Sequence, residues 1–229
     1  MQIVKYNIRK WKNTCMGIPC FILGNGPSLT KKDVKKLKFY FTIGVNRIFY
    51  LYNPTLLLWQ DYSLWKTEKK NILKSKAVKV CLSKGDPEDL FSHVKFIPRV
   101  KFNRKIINEQ FGEFPDLLCR FSNTGILAVQ MAIAMGCSCV VLLGMDGRYS
   151  KEDINTNFYG VNKFHTYETL INFDKSLRFL KGRKDIAIYN CSDNKYWKRY
   201  KLKNVLKILK PKKESRDHFI DIFNKKERY

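Results

Sequence analysis

Residues 21–29 read FILGNGPSL: an apolar run is cut short by Gly24-Asn25-Gly26-Pro27-Ser28 and followed by the helix-like TKKDVKKLK. The order suits a buried strand, a tight turn and a helix start. Glycines at such a turn let backbone N–H groups approach an anion, and the helix dipole favours negative charge there. Gly24, Asn25, Gly26 and Ser28 are therefore candidate contacts to a phosphate-bearing ligand, although the same residues also suit a plain turn. The spacing matches neither G-x-G-x-x-G nor G-x-x-x-x-G-K-[ST], so the turn is neither a dinucleotide fingerprint nor a P-loop.

Working outward, short apolar runs alternate with helical periodicity, the pattern of α/β architecture. Strands are predicted at 20–23, 41–45, 56–59, 77–82, 94–97, 140–143 and 186–189. Thr30-x-x-Asp33 reads as a capping pair for the first helix. Residues 63–73 form an amphipathic helix, and 124–135 one that is apolar nearly all round, ends at Gly136 and must be deeply buried. A further amphipathic helix over 166–180 places Leu170, Phe173, Leu177 and Leu180 on one face and closes at Gly182. The pattern fades over 98–122 and vanishes over 146–163, where long polar stretches usually serve as lids or binding loops.

Composition bounds the rest. The 229 residues, 45% hydrophobic, suffice for one substantial core. This divides the chain into one domain over 1–194 and a basic helical extension over 195–229. No apolar run reaches the ~20 residues of a membrane span, and the N-terminal stretch lacks a signal-peptide core, so a cytoplasmic location is expected. The seven cysteines (Cys15, Cys20, Cys81, Cys119, Cys137, Cys139 and Cys191) lie mostly inside apolar runs, as reduced core thiols do. A formal charge of +24 attracts polyanions: nucleic acid, an anionic surface or a phosphorylated substrate. Lysine-rich composition without any binding role accounts for it equally well. The excess is densest from Lys195 onward, with 13 Lys/Arg against 4 Asp/Glu.

Four motifs recur in a fixed order: GNGPSL after the first strand, GVNR (Gly44 to Arg47) after the second, NTG (Asn123 to Gly125) opening the apolar helix, and LLGMD (Leu142 to Asp146) ending the next strand. In this the chain resembles the superfamily that joins bacterial sialyltransferases of glycosyltransferase family 42 to Maf-type and hydroxymethylpterin-diphosphokinase-like proteins. The resemblance covers roughly residues 20–194 and implies a Rossmann-like, mostly parallel sheet flanked by helices, with a nucleotide-activated donor at the strand ends. Asn25 and Gly26 would then contact the donor phosphate or ribose, Asn46 the nucleotide, and Asn123, Thr124 and Gly125 the phosphate or sugar. Asn46 also suits a strand-end turn, and Thr124 a helix cap.

The resemblance extends to His165, which would be the general base on an acceptor hydroxyl, since histidine titrates near neutral pH. Tyr149 and Tyr159 would donate hydrogen bonds to the departing phosphate, with Arg148 assisting electrostatically. No D-x-D pattern occurs, so no cofactor is expected beyond a nucleotide-sugar co-substrate, and transfer is expected to need no metal. Asp61 and Asp146 remain as ribose ligands or, if the chain is a pyrophosphokinase-like phosphotransferase, as magnesium ligands. The Gly147-Arg148 and Gln60-Asp61 pairs depart from the sialyltransferase pattern and leave the sugar open. Three classes follow: a glycosyltransferase acting on a glycan or on hydroxymethylated DNA, the phosphotransferase, and a non-catalytic nucleic-acid-binding protein. Oligomeric state is not encoded in any motif.

Overall fold

Phe21, Leu23, Val141 and Leu143 point to one side of a sheet, while Cys20, Ile22, Val140 and Leu142 point to the other, and all eight are buried. Strands covered on both faces read as continuous apolar runs, which is why the sequence shows them so clearly. The computed structural model describes residues 11–81, 94–96, 99–100, 118–119, 123–147, 156–161, 167–211 and 220.

Seven strands form a parallel sheet: β1 (Pro19–Leu23), β2 (Phe41–Val45), β3 (Leu56–Trp59), β4 (Val78–Cys81), β5 (Val94–Phe96), β8 (Cys139–Leu143) and β11 (Ala187–Asn190), in the order β11-β8-β1-β2-β3-β4-β5. These are the seven strands expected from the sequence, so the α/β Rossmann-like reading holds and the sheet is wholly parallel. Two small ribbons had no clear signal: β6 (Arg99–Val100) beside β7 (Leu118–Cys119), and the antiparallel pair β9 (Thr156–Asn157) and β10 (Gly160–Val161). Two-residue strands are too short to show alternation.

Helices cover both faces. On one lie α1 (Lys31–Lys35), α2 (Tyr62–Lys74) and α5 (Leu202–Ile208); on the other lie α3 (Thr124–Ala134) and α4 (Tyr167–Lys181). Thr30 caps α1 as expected, its hydroxyl accepting the Asp33 N–H. Ten of the eleven residues of α3 are buried, and its C-terminus runs into Gly136 at φ +78°.

The basic segment beyond residue 194 is not all peripheral. Leu202 and Val205 are buried in the core, and the Tyr40 hydroxyl donates to the Leu209 carbonyl at 2.7 Å. Cys15, Cys20, Cys81, Cys137, Cys139 and Cys191 are buried thiols outside any disulfide. Burial raises the Cys20 and Cys139 thiols above their ordinary range. Among the described residues no helix is long and apolar enough to cross a membrane.

Candidate functional site

From β1 the chain steps outward through β2, β3, β4 and β5, then returns to β8 on the opposite flank of β1. Parallel sheets bind ligands beyond the carboxyl ends of their strands where the order reverses in this way. Two turns line that crevice, 24–28 after β1 and 144–147 after β8, and they are hydrogen-bonded to each other. The Gly24 N–H donates to the Leu143 carbonyl and the Gly26 N–H to the Gly144 carbonyl, each at 2.8 Å.

A Cβ on Gly24 would lie 2.3 Å from the Gly144 carbonyl oxygen, and one on Gly26 would lie 2.3 Å from the Asp146 carboxylate. The glycines are thus required by the approach of one turn to the other. The Ser28 N–H donates to Asp146 Oδ2 at 2.9 Å, so three N–H groups of the turn already have protein acceptors. An anion cradle built from those amides, the first reading of this stretch, is therefore not what the turn offers. Asp146 is 5% exposed; its carboxylate also accepts the Ser28 hydroxyl and, at 3.0 Å, the Asp193 N–H. This one side chain joins the ends of β1, β8 and β11.

Beside this wall three asparagines meet. Asn25 Nδ2 donates to the Val45 carbonyl at 3.1 Å, next to Asn46, and the Asn25 carbonyl accepts the Phe158 N–H at 2.9 Å, next to Asn157. Asn25 Oδ1, Asn46 Oδ1 and Asn157 Nδ2 are all buried and find no hydrogen-bond partner among the described residues. Buried polar atoms are nearly always paired, so two orphan acceptors and one orphan donor close to the ends of β1 and β2 make this edge a candidate for a polar ligand, although Trp59, Gln130 and Tyr196 carry orphan atoms elsewhere. Asn46 has φ +52°, a left-handed backbone that asparagine tolerates better than most residues. It is a turn residue, as its alternative reading has it, and it also carries an unanswered acceptor.

Arg47 closes the other side. Its Nε donates to Glu68 Oε1 at 2.8 Å and its guanidinium sits 5.5 Å from the Tyr159 ring centroid. Burial works against the charge on Arg47, but hydrogen bonds with Glu68 and Tyr159 outweigh it and raise the guanidinium further. Glu68 accepts from Tyr50 at 2.6 Å and Asn71 at 2.9 Å as well. Through Arg47, helix α2 is therefore tied to the β9–β10 ribbon that carries Tyr159.

The remaining candidates sort by place. Asn123 caps α3, its Oδ1 accepting the Gly125 and Ile126 N–H groups at 2.7 and 3.3 Å, so the cap belongs to Asn123 and not to Thr124, which is buried behind it. A Cβ on Gly125 would lie 2.5 Å from the Met145 side chain, which fits α3 closely under the β8 turn. Asp61 stands exposed before α2, with no capping hydrogen bond from its side chain. Arg148, Tyr149 and His165 lie outside the described residues. Sequence reasoning gave Arg47 no role beyond its place in the GVNR motif and passed over Asn157 and Phe158; the signal for the last two was the N-F-Y-G run, a polar residue and two aromatics before a turn glycine. Among the described residues no three His, Cys, Asp or Glu side chains gather as metal ligands would.

A solved MAf glycosyltransferase from Magnetospirillum magneticum AMB-1 matches 97% of this chain with a TM-score of 0.62 at 18% identity. The chain has the fold of that glycosyltransferase. It spans 39% of the neighbour's length. Two structures of the Campylobacter jejuni sialyltransferase CstII, one with the substrate analogue CMP-3FNeuAc and one with cytidine-5'-monophosphate, match 76% and 77% of the chain and overlay more loosely. Their TM-scores are 0.39 and 0.41, at 18% and 19% identity, with 79% and 80% of those chains covered. No family model and no curated protein sequence matches the chain.

Proposed function

We propose that the chain is a glycosyltransferase that moves a sugar from a nucleotide donor to an acceptor hydroxyl. The observation that carries this reading is the set of orphan buried amides on Asn25, Asn46 and Asn157 at the switch point of a sheet whose fold a glycosyltransferase shares. A nucleotide offers the donors and acceptors such amides lack, and asparagine supplies both kinds at short reach. Tyr159, in contact with Arg47 at the same edge, would donate its phenolic hydrogen to a departing phosphate oxygen.

In the proposed step the acceptor oxygen attacks the anomeric carbon, and the bond to the donor phosphate breaks with its electron pair leaving on that phosphate. The hydroxyl proton passes to the imidazole of His165, the expected general base. Asp146 takes no direct part, because its carboxylate is already engaged by three donors from Ser28 and Asp193. No metal ion enters the scheme.

The test is to incubate the protein with a panel of nucleotide sugars, with and without EDTA, and to follow slow donor hydrolysis. Hydrolysis of one donor, equally fast in both conditions, is the expected result. Hydrolysis abolished by EDTA would overturn the metal-free mechanism, and a panel neither bound nor hydrolysed would overturn glycosyl transfer.

A further inference from the structure

Beside the switch point a cavity of about 530 Å³ opens between α1 and the segment leading into α5. That volume lies within the range of small-molecule sites, about 300–1,000 Å³. Its floor is apolar, made by Leu143, Cys191 and Leu202, and Ser28 lies on its wall. The cavity therefore shares the β1 turn with the asparagine site.

The rim is strongly cationic. Lys36, Arg199, Lys201 and Lys203 line the cavity against a single carboxylate, Asp33. Lys36 pairs with Asp33 at 3.5 Å and Arg199 with Asp193 at 3.3 Å. The Arg199 pair uses one of five guanidinium N–H groups and leaves the rest for a ligand. Lys201 and Lys203 make no ion pair among the described residues.

The backbone here is fixed. The Tyr200 N–H donates to the Asn190 carbonyl at 2.8 Å, and the Tyr200 ring packs edge-on against Tyr189 at 6.1 Å, leaving Tyr200 39% exposed at the cavity mouth. Asp193, which holds Arg199, donates its own N–H to Asp146, so the node that joins the strand ends also holds this rim. Two lysines without an ion partner among the described residues, an apolar floor and an exposed ring suit a sugar-sized group carrying a phosphate: the ring lies on apolar surface and the charge meets the lysines.

We infer that this cavity is an anion subsite that takes a phosphate-bearing sugar-sized molecule. As the acceptor position of the enzyme it rests on the glycosyl-transfer reading; as a binding site it does not. The excess of lysine throughout the chain offers a competing account, general attraction with no site.

Calorimetric titration with glucose 6-phosphate, glucose, glucuronate and a short DNA duplex decides between them. It is run on the full chain, on the K201Q/K203Q variant and on K70Q/K74Q, which removes the same charge from exposed positions of α2. Glucose 6-phosphate should bind the parent, glucose and glucuronate should bind far more weakly, and K201Q/K203Q should lose about tenfold or more in affinity, the scale of one charge-assisted contact. K70Q/K74Q should bind like the parent. No binding of the sugar phosphate, an equal loss in both variants, glucuronate binding as tightly, or a DNA duplex that the sugar phosphate does not displace would each overturn the proposal. Unchanged melting temperature and nucleotide affinity in K201Q/K203Q confirm that the fold survives. Loss of sugar-phosphate binding in K201Q/K203Q with donor hydrolysis intact counts for the subsite, whereas a parent protein that binds the sugar phosphate but hydrolyses no donor keeps the subsite and loses only its role as the acceptor position.

Discussion

Asp146 accepts the backbone N–H of Ser28 at 2.9 Å across a sequence separation of 118 residues, and its other oxygen takes the Ser28 hydroxyl. Asp146→Asn replaces one acceptor with an N–H₂ facing groups that are themselves donors. The variant should lose about 1–3 kcal/mol of stability, the usual result of leaving a buried polar group unanswered. Urea denaturation measures this; a midpoint equal to the parent's would show that the node does not hold the strand ends together.

Asn46 separates two accounts of one residue. Asn46→Gly relieves the left-handed backbone at φ +52° but removes the orphan Oδ1, whereas Asn46→Ala removes the same atom and adds strain of about 1 kcal/mol. If the amide contacts ligand, both variants should bind nucleotide more weakly, with only the alanine variant less stable. Full nucleotide affinity in the glycine variant would return Asn46 to a turn role alone. Titration with CMP, UDP and GDP, beside a thermal melt, covers both readouts.

Glu68 should give a pH-dependent contribution to stability. Burial disfavours its charge, but hydrogen bonds from Arg47, Tyr50 and Asn71 prevail and hold the carboxyl below its ordinary value. A carboxylate with a depressed folded pKa stabilises above its unfolded value, about pH 4, and loses that contribution as pH falls through the folded one. Glu68→Gln should therefore be less stable than the parent at pH 7, and the gap should close below about pH 4. A gap independent of pH would assign the loss to packing.

Tyr159 and His165 are expected to act in the transition state. His165→Ala should lower the transfer rate by roughly 10²–10⁴ with nucleotide affinity nearly intact. Tyr159→Phe should lower kcat and kcat/KM together, as loss of a transition-state contact does. Arg47→Gln, which frees the ring, should lower kcat less than Tyr159→Phe and be additive with it only weakly, because both act through one phenol. Equal activity in the parent and the histidine variant would leave the base unassigned.

What the sequence determined by itself was the fold class, with the place of each of the seven sheet strands. Parallel strands buried on both faces must be apolar at every position, and β1 and β8 write that into local composition, as Thr30-x-x-Asp33 writes the start of α1. Asn25 stood out in the sequence as part of the glycine turn, whereas Asn46 and Tyr159 came forward only through the resemblance to known families. Only the tertiary structure placed β8 beside β1, brought Asn157 next to the Asn25 carbonyl, set Arg47 over Tyr159 and gathered Lys36, Arg199, Lys201 and Lys203 around one cavity. It also gave the glycines of the first turn their reason, since Gly26 must make room for Asp146. Those relationships join residues far apart along the chain. No local propensity records them; the order in which strands pack does.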